Sequence, residues 1–222
     1  MAFLQSQPPR EPFLHAPPVV LWLIGTFIAM HLTMVFGPEA IADNVFNHLA
    51  FVPSRYANGS DAFGLTVPLV GHMFLHGSFL HLTVNCLWLL AFGPIVARRC
   101  GTATFLAFFF ACGIAGALVY LAFNWGSPEP VIGASGGISG LMAAGIRMLR
   151  WPNVAPSNGL SPVLSRPVLM FTAFWLATNL LLGFTGVGTG EQVAWQAHLG
   201  GFFCGLFLID AVVSLRQRRP QS

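Results

Sequence analysis

The chain has 222 residues, of which 55% are hydrophobic and only 8% charged, with a mean hydropathy of +0.70. A water-soluble domain carries about 25% charged residues, so this composition excludes one and points to a protein whose solvent is the lipid bilayer. The net charge of +3 is too small and too scattered for a nucleic-acid partner, and every basic residue is an arginine.

The N-terminal stretch holds Pro8, Pro9, Pro12, Pro17 and Pro18 with Arg10 and Glu11 side by side. This is not the basic-then-apolar pattern of a cleaved signal peptide, and it predicts a short cytoplasmic tail over residues 1–18. Beyond it, uncharged runs long enough to cross a bilayer predict spans at residues 19–36, 78–97, 102–123, 135–149, 167–186 and 194–215. The run between Asp61 and Arg98 carries no charge and has room for a re-entrant loop before the second span. Gly77-Ser78 reads as a break and N-cap, which starts that span. The fourth span is short, rising only about 22 Å as a helix. These spans describe an all-α membrane bundle of six helices over residues 19–215, followed by a basic tail at 216–222. The cysteines Cys86, Cys100, Cys112 and Cys204 sit in or at the ends of apolar runs without CxxC spacing, so neither a disulfide framework nor a zinc site is expected.

Six spans leave both termini on one side. Arg10, Arg98, Arg99, Arg147, Arg150, Arg166, Arg216, Arg218 and Arg219 all fall on that side, and Arg55 alone on the other. Glu39, Asp43, Asp61, Glu129 and Glu191 lie in the opposite loops. The arginine bias predicts cytoplasmic termini and a long outer loop from Gly37 to about Gly71.

Two patterns carry chemistry. Val131-Ile-Gly-Ala-Ser135-Gly-Gly-Ile-Ser139-Gly places serines between small residues where the fourth span opens on the outer side. Ala197-His198-Leu-Gly-Gly201-Phe-Phe-Cys-Gly205 sets a histidine on a glycine stripe about one turn into the sixth. Ala197, Gly201 and Gly205 face the spacing of Gly136, Gly140 and Ala144, so the two helices are built to approach closely. Such stripes are common in membrane bundles; the histidine turns this one toward a nucleophile and its base. No acidic third member is within reach: Asp210 lies about 18 Å along the helix from His198 and Glu191 about 10 Å the other way. A Ser135–His198 dyad is therefore expected. His81 and Asn85, at i and i+4 near the outer end of the second span, are the candidates for holding a developing oxyanion. His72 and His76 are read as structural, closing backbone groups around the loop. A metal site on these histidines is disfavoured by the lack of acidic or cysteine ligands and of HExxH spacing.

With these motifs in order, the chain resembles the rhomboid family of intramembrane serine proteases. Gly133-Ala-Ser135-Gly is similar to the family's GxSG, Ala197-His198-Leu-Gly-Gly201-Phe-Phe-Cys-Gly205 to its AHxxGxxxG, and His81-Leu-Thr-Val-Asn85 to its HxxxN. The resemblance implies a six-span peptide hydrolase that needs no cofactor, acts on transmembrane protein substrates within the bilayer, and admits them laterally between spans two and five. Two departures stand out. A Trp-Arg pair frequent in the family's first outer loop has no counterpart before His72. The position four after the nucleophile, often an aromatic stacked on the histidine, is Ser139. Ser139 also creates a second GxSG one turn deeper, about 6 Å further from water; Ser135, at the helix N-terminus, is preferred as nucleophile. The rivals are an inactive rhomboid-like binder of membrane proteins, against which the intact Ser135 and His198 argue, and a channel or transporter. Against the latter stand the lack of an inverted repeat and of mid-membrane charge, since Arg147 and Asp210 lie toward the cytoplasmic ends. The short tails point to a bacterial inner membrane.

Overall fold

The computed structural model describes residues 16–59, 61–185 and 194–217; the predicted tails at 1–18 and 216–222, for the most part, and Glu191 lie outside them. Among the described residues the chain is all-α. In order it forms α1 (Pro18–Phe36), α2 (Glu39–Leu49), α3 (Pro53–Ala57), α4 (Ala62–Thr66), α5 (Pro68–Gly71), a 3-10 turn at His72–Phe74, α6 (Phe79–Cys100), α7 (Thr102–Phe123), α8 (Ser135–Met148), α9 (Arg166–Thr185) and α10 (Trp195–Gln217). Five of these, α1, α6, α7, α9 and α10, are long and apolar enough to cross a membrane. The remaining predicted span, the fourth, is α8, whose 14 residues make it the short one.

Composition explains where α8 sits. Residues 136–148 of this helix are buried throughout, and seven of the thirteen are glycine, alanine or serine. A lipid-facing helix would show one apolar face of large side chains; glycines and alanines at four-residue spacing let neighbouring backbones close in on this one. Its neighbours are α6, α7 and α10. A Cβ on Gly201 would collide with the Gly136 carbonyl, one on Gly205 with Gly140, and one on Gly140 with Cys112 of α7. The stripes on α8 and α10 thus meet as their spacing predicts, and α7 closes the third side. Phe108 and Phe109 of α7 fill the core beside them.

Reversals at the arginine-rich end are tight. Gly101, at φ +78°, is the single residue between α6 and α7, a left-handed conformation that favours glycine. At the same end Arg147 is 4% exposed and forks onto Asp210 of α10 at 2.5 and 2.8 Å, with further bonds to the Leu206 and Ser161 carbonyls. The two charges of the predicted spans therefore neutralise one another.

The segment between α1 and α6 holds the short helices α2–α5 where a plain loop was expected. Pro53 and Pro68 start two of these helices. The segment dips into the bundle: Met73 is fully buried against Gly113 and Gly137, and Phe51 pairs with Val131 by two backbone hydrogen bonds. The Tyr56 hydroxyl donates to the Leu65 carbonyl, and burial pushes its pKa up to about 12. This re-entrant piece braces the irregular stretch 124–134, which leads directly into α8.

Candidate active site

Ser135 is the first residue of α8, and the approach to it is set by Gly133. That residue has φ +116°, and a Cβ there would lie 2.8 Å from His81 Nε2. Its N–H donates to the His72 carbonyl at 2.8 Å. Only glycine fits this corner, which turns the chain so that the Ser135 hydroxyl faces the interior while the first N–H groups of α8 lack acceptors within the helix. Those N–H groups and the helix dipole make the spot favourable for a negative charge.

His198 stands one turn into α10. Its Nε2 lies 2.7 Å from Ser135 Oγ, a hydrogen bond that spans 63 residues of sequence. The pair lines a cleft of about 390 Å³. One wall comes from α6 through His81, Val84, Asn85 and Trp88, the other from α9 through Phe171, Phe174, Trp175 and Asn179. Helices α6 and α9 make few contacts with each other, so the cleft parts the bundle on this side. A Phe92–Phe171 ring contact with centroids 6.3 Å apart bridges the two helices.

His81 and Asn85 both line the cleft with Ser135. The Asn85 side-chain nitrogen donates to the His81 carbonyl at 2.9 Å, which leaves its second hydrogen available. Ser78 caps α6 as expected, its hydroxyl accepting from the His81 N–H at 3.1 Å. Ser139 also faces the cleft, one turn deeper, but His198 meets Ser135. His72 has the backbone-closing role foreseen for it, Nδ1 donating to the Pro68 carbonyl at 2.8 Å. For His76 the arrangement is reversed: its own carbonyl is closed by the His31 ring of α1 at 3.0 Å, and both His76 ring nitrogens are buried without a protein partner.

One residue of the site was missed from sequence. Asn179 of α9 brings Oδ1 to 2.7 Å from His198 Nδ1 and donates from Nδ2 to the Trp195 carbonyl at 3.1 Å. The histidine therefore has a second side-chain partner, an amide rather than a carboxylate. The available signal was polarity: Asn179 is the one amide in the uncharged run of the fifth span.

Comparisons with known proteins agree with this architecture. The chain is 25% identical over 235 residues to "RHOMBOID-like protein 5" of Arabidopsis thaliana, covering 90% of this chain and 72% of that protein. It is 30% identical over 142 residues to "Rhomboid protease GlpG" of Yersinia pseudotuberculosis, covering 63% and 45%, and 31% identical over 190 residues to "Rhomboid protease GluP" of Bacillus subtilis, covering 84% and 34%. It thus spans less than half the length of those two proteases. The family model described as "Rhomboid domain" matches residues 64–215, from the re-entrant segment through α10, and with the glycine-packed α8–α10 pair inside that range the chain belongs to the rhomboid family.

Proposed function

We propose that the protein is an intramembrane serine endopeptidase. The reading is carried by the 2.7 Å contact between Ser135 Oγ and His198 Nε2 in a cleft walled by α6 and α9. Ser135 attacks a peptide carbonyl of a substrate transmembrane segment that reaches the cleft laterally between α6 and α9. His198 takes the serine proton as the Oγ–C bond forms, then gives it to the leaving amine as the C–N bond breaks. The Ser135 N–H, His81 and Asn85 hold the oxyanion. Water then repeats the cycle on the acyl-enzyme, His198 again acting as base, and releases the carboxylate product with Ser135 restored. The clustering of arginines at the Arg147 end supports cytoplasmic termini in a bacterial inner membrane, with the cleft near the outer face.

The test is labelling by a fluorophosphonate probe, run beside cleavage of a transmembrane substrate. Loss of both with Ser135→Ala and His198→Ala, but not with Ser139→Ala, supports the assignment. Loss only with Ser139→Ala and His198→Ala moves the nucleophile one turn, and a folded wild type that neither labels nor cleaves is a membrane-protein binder instead.

A further inference from the structure

A serine–histidine pair alone leaves two things open: which nitrogen of the imidazole carries its hydrogen, and what keeps the ring plane turned toward the serine. In many sites a carboxylate answers both. Among the described residues Asp210 is committed to Arg147 at the far end of α10. Ser139, one turn below the nucleophile, offers no ring to stack on the imidazole.

We infer that Asn179 is a positioning residue for His198, which holds the imidazole in its Nδ1–H form through a side-chain amide presented by α9. The amide's own orientation follows from its second bond. The Trp195 carbonyl can only accept, so the end of Asn179 that meets it at 3.1 Å is the NH2 group. The other end, 2.7 Å from His198 Nδ1, is then the oxygen, which can only accept. Nδ1 must therefore carry the hydrogen, and Nε2 faces Ser135 with a lone pair, as a base requires. Asn179 is 7% exposed, so water has little access to these bonds.

An amide suits this depth. A carboxylate buried among apolar helices is expensive, whereas an amide orients the ring with no net charge. The arrangement also makes the base depend on α9. This helix packs lightly on α8 and α10 and forms one wall of the cleft. Outward movement of α9 breaks the Asn179–His198 bond, so the imidazole is set for catalysis only when α9 is seated.

The inference rests on the Ser135–His198 assignment, and its test separates the two. In proteoliposomes, with active sites counted by fluorophosphonate, Asn179→Leu keeps the volume and removes both bonds. Turnover per active site is expected to fall about 10- to 100-fold with KM within about twofold, a loss in the range of a misaligned general base. Asn179→Asp restores the acceptor and recovers most of the rate. Wild-type turnover per active site in Asn179→Leu overturns the inference, and if that variant does not fold, Asn179→Ala carries the same criterion. A second readout does not need catalysis. In a Ser135→Ala background, nitrogen NMR of the His198 ring is expected to show the Nδ1–H form, lost on adding Asn179→Leu. A predominant Nε2–H form with Asn179 intact overturns the inference. The Nδ1–H form with Asn179 intact and lost in Asn179→Leu, beside a Ser135-containing chain that cleaves nothing, removes the protease reading and leaves the positioning role standing; Nδ1–H kept in Asn179→Leu overturns the inference.

Discussion

Alanine at Gly201 should part Ser135 and His198, the proposed reacting pair, without touching either. A Cβ there would lie 2.6 Å from the Gly136 carbonyl carbon and 3.0 Å from its Cα, where ordinary contact begins at 3.4 Å. The obstacle is helix backbone, which has no rotamer to change, so α8 and α10 must separate by about 1 Å. Gly136 adjoins Ser135 and Gly201 follows His198 by less than one turn. The separation therefore falls on the 2.7 Å Ser135–His198 contact and stretches it beyond hydrogen-bond reach. A misplacement of about 1 Å costs about 100-fold in rate, and the overpacking itself about 1–3 kcal/mol of stability. The assay is the initial rate of transmembrane-substrate cleavage in proteoliposomes, with thermal melting in parallel. Gly25→Ala is the control, because a Cβ there meets nothing within 4 Å. The expected result is a folded Gly201→Ala protein about 100-fold slower, beside a Gly25→Ala protein at full rate. A Gly201→Ala protein that cleaves and labels like wild type would refute the argument that glycine packing sets the catalytic distance.

Gly133→Ala should also damage the site, since φ +116° strains any side chain and its Cβ would press on His81 Nε2; about 1–3 kcal/mol of strain and a loss of turnover beyond tenfold are expected in the same two assays. His72 and His76 lie in the connecting segment outside the spans. Burial pulls the His72 pKa down to about 4; burial, then the neighbouring His81, pulls His76 to about 3. Above about pH 6.5 both rings are neutral folded or unfolded; as pH falls below it the unfolded chain takes up protons first, so stability declines toward pH 4, by about 2 kcal/mol at pH 5 from His72 alone. A melting temperature equal at pH 7.5 and pH 5 would contradict this. Asp210→Asn removes the charge that answers the buried Arg147 guanidinium, and a melting temperature lower by several degrees is expected from a loss of about 1–3 kcal/mol. Cleavage measured below that temperature should stay at the wild-type rate, because the pair sits at the opposite end of α10 from His198.

The spans were legible because charge and length constrain a membrane helix so strongly. Predicted starts at 19, 102, 135, 167 and 194 lie within one residue of α1, α7, α8, α9 and α10. The approach of α8 to α10 was legible in their small-residue stripes, whereas the enclosure of α8 by α6 and α7 was not. The connecting segment was harder. Helices of four or five residues, such as Pro53–Ala57 and Pro68–Gly71, are too short to show periodicity. Burial of Met73 comes from the space left by Gly113 on α7 and Gly137 on α8, residues distant in sequence.

The site divides in the same way. Ser135 and His198 were readable because each carries its packing motif beside it, glycine at four-residue spacing that announces a close helix contact. Asn179 carries none, and the search for a third member looked along α10 for a carboxylate, where reach is limited by the rise of one helix. The partner lay across a helix contact. Helices α9 and α10 are consecutive, and Phe184 near the end of one meets Trp195 at the start of the other, so depth is counted from those two ends. Asn179 lies about 9 Å before the last residue of α9, and His198 about 5 Å after the first residue of α10. They are level to within one turn, and an amide at that depth must bond to something. Counting polar residues by depth on antiparallel neighbours, rather than by distance along one helix, brings Asn179 to His198. The same count takes Asp210 about 23 Å down α10, level with the Arg147 end of α8, where its partner is found.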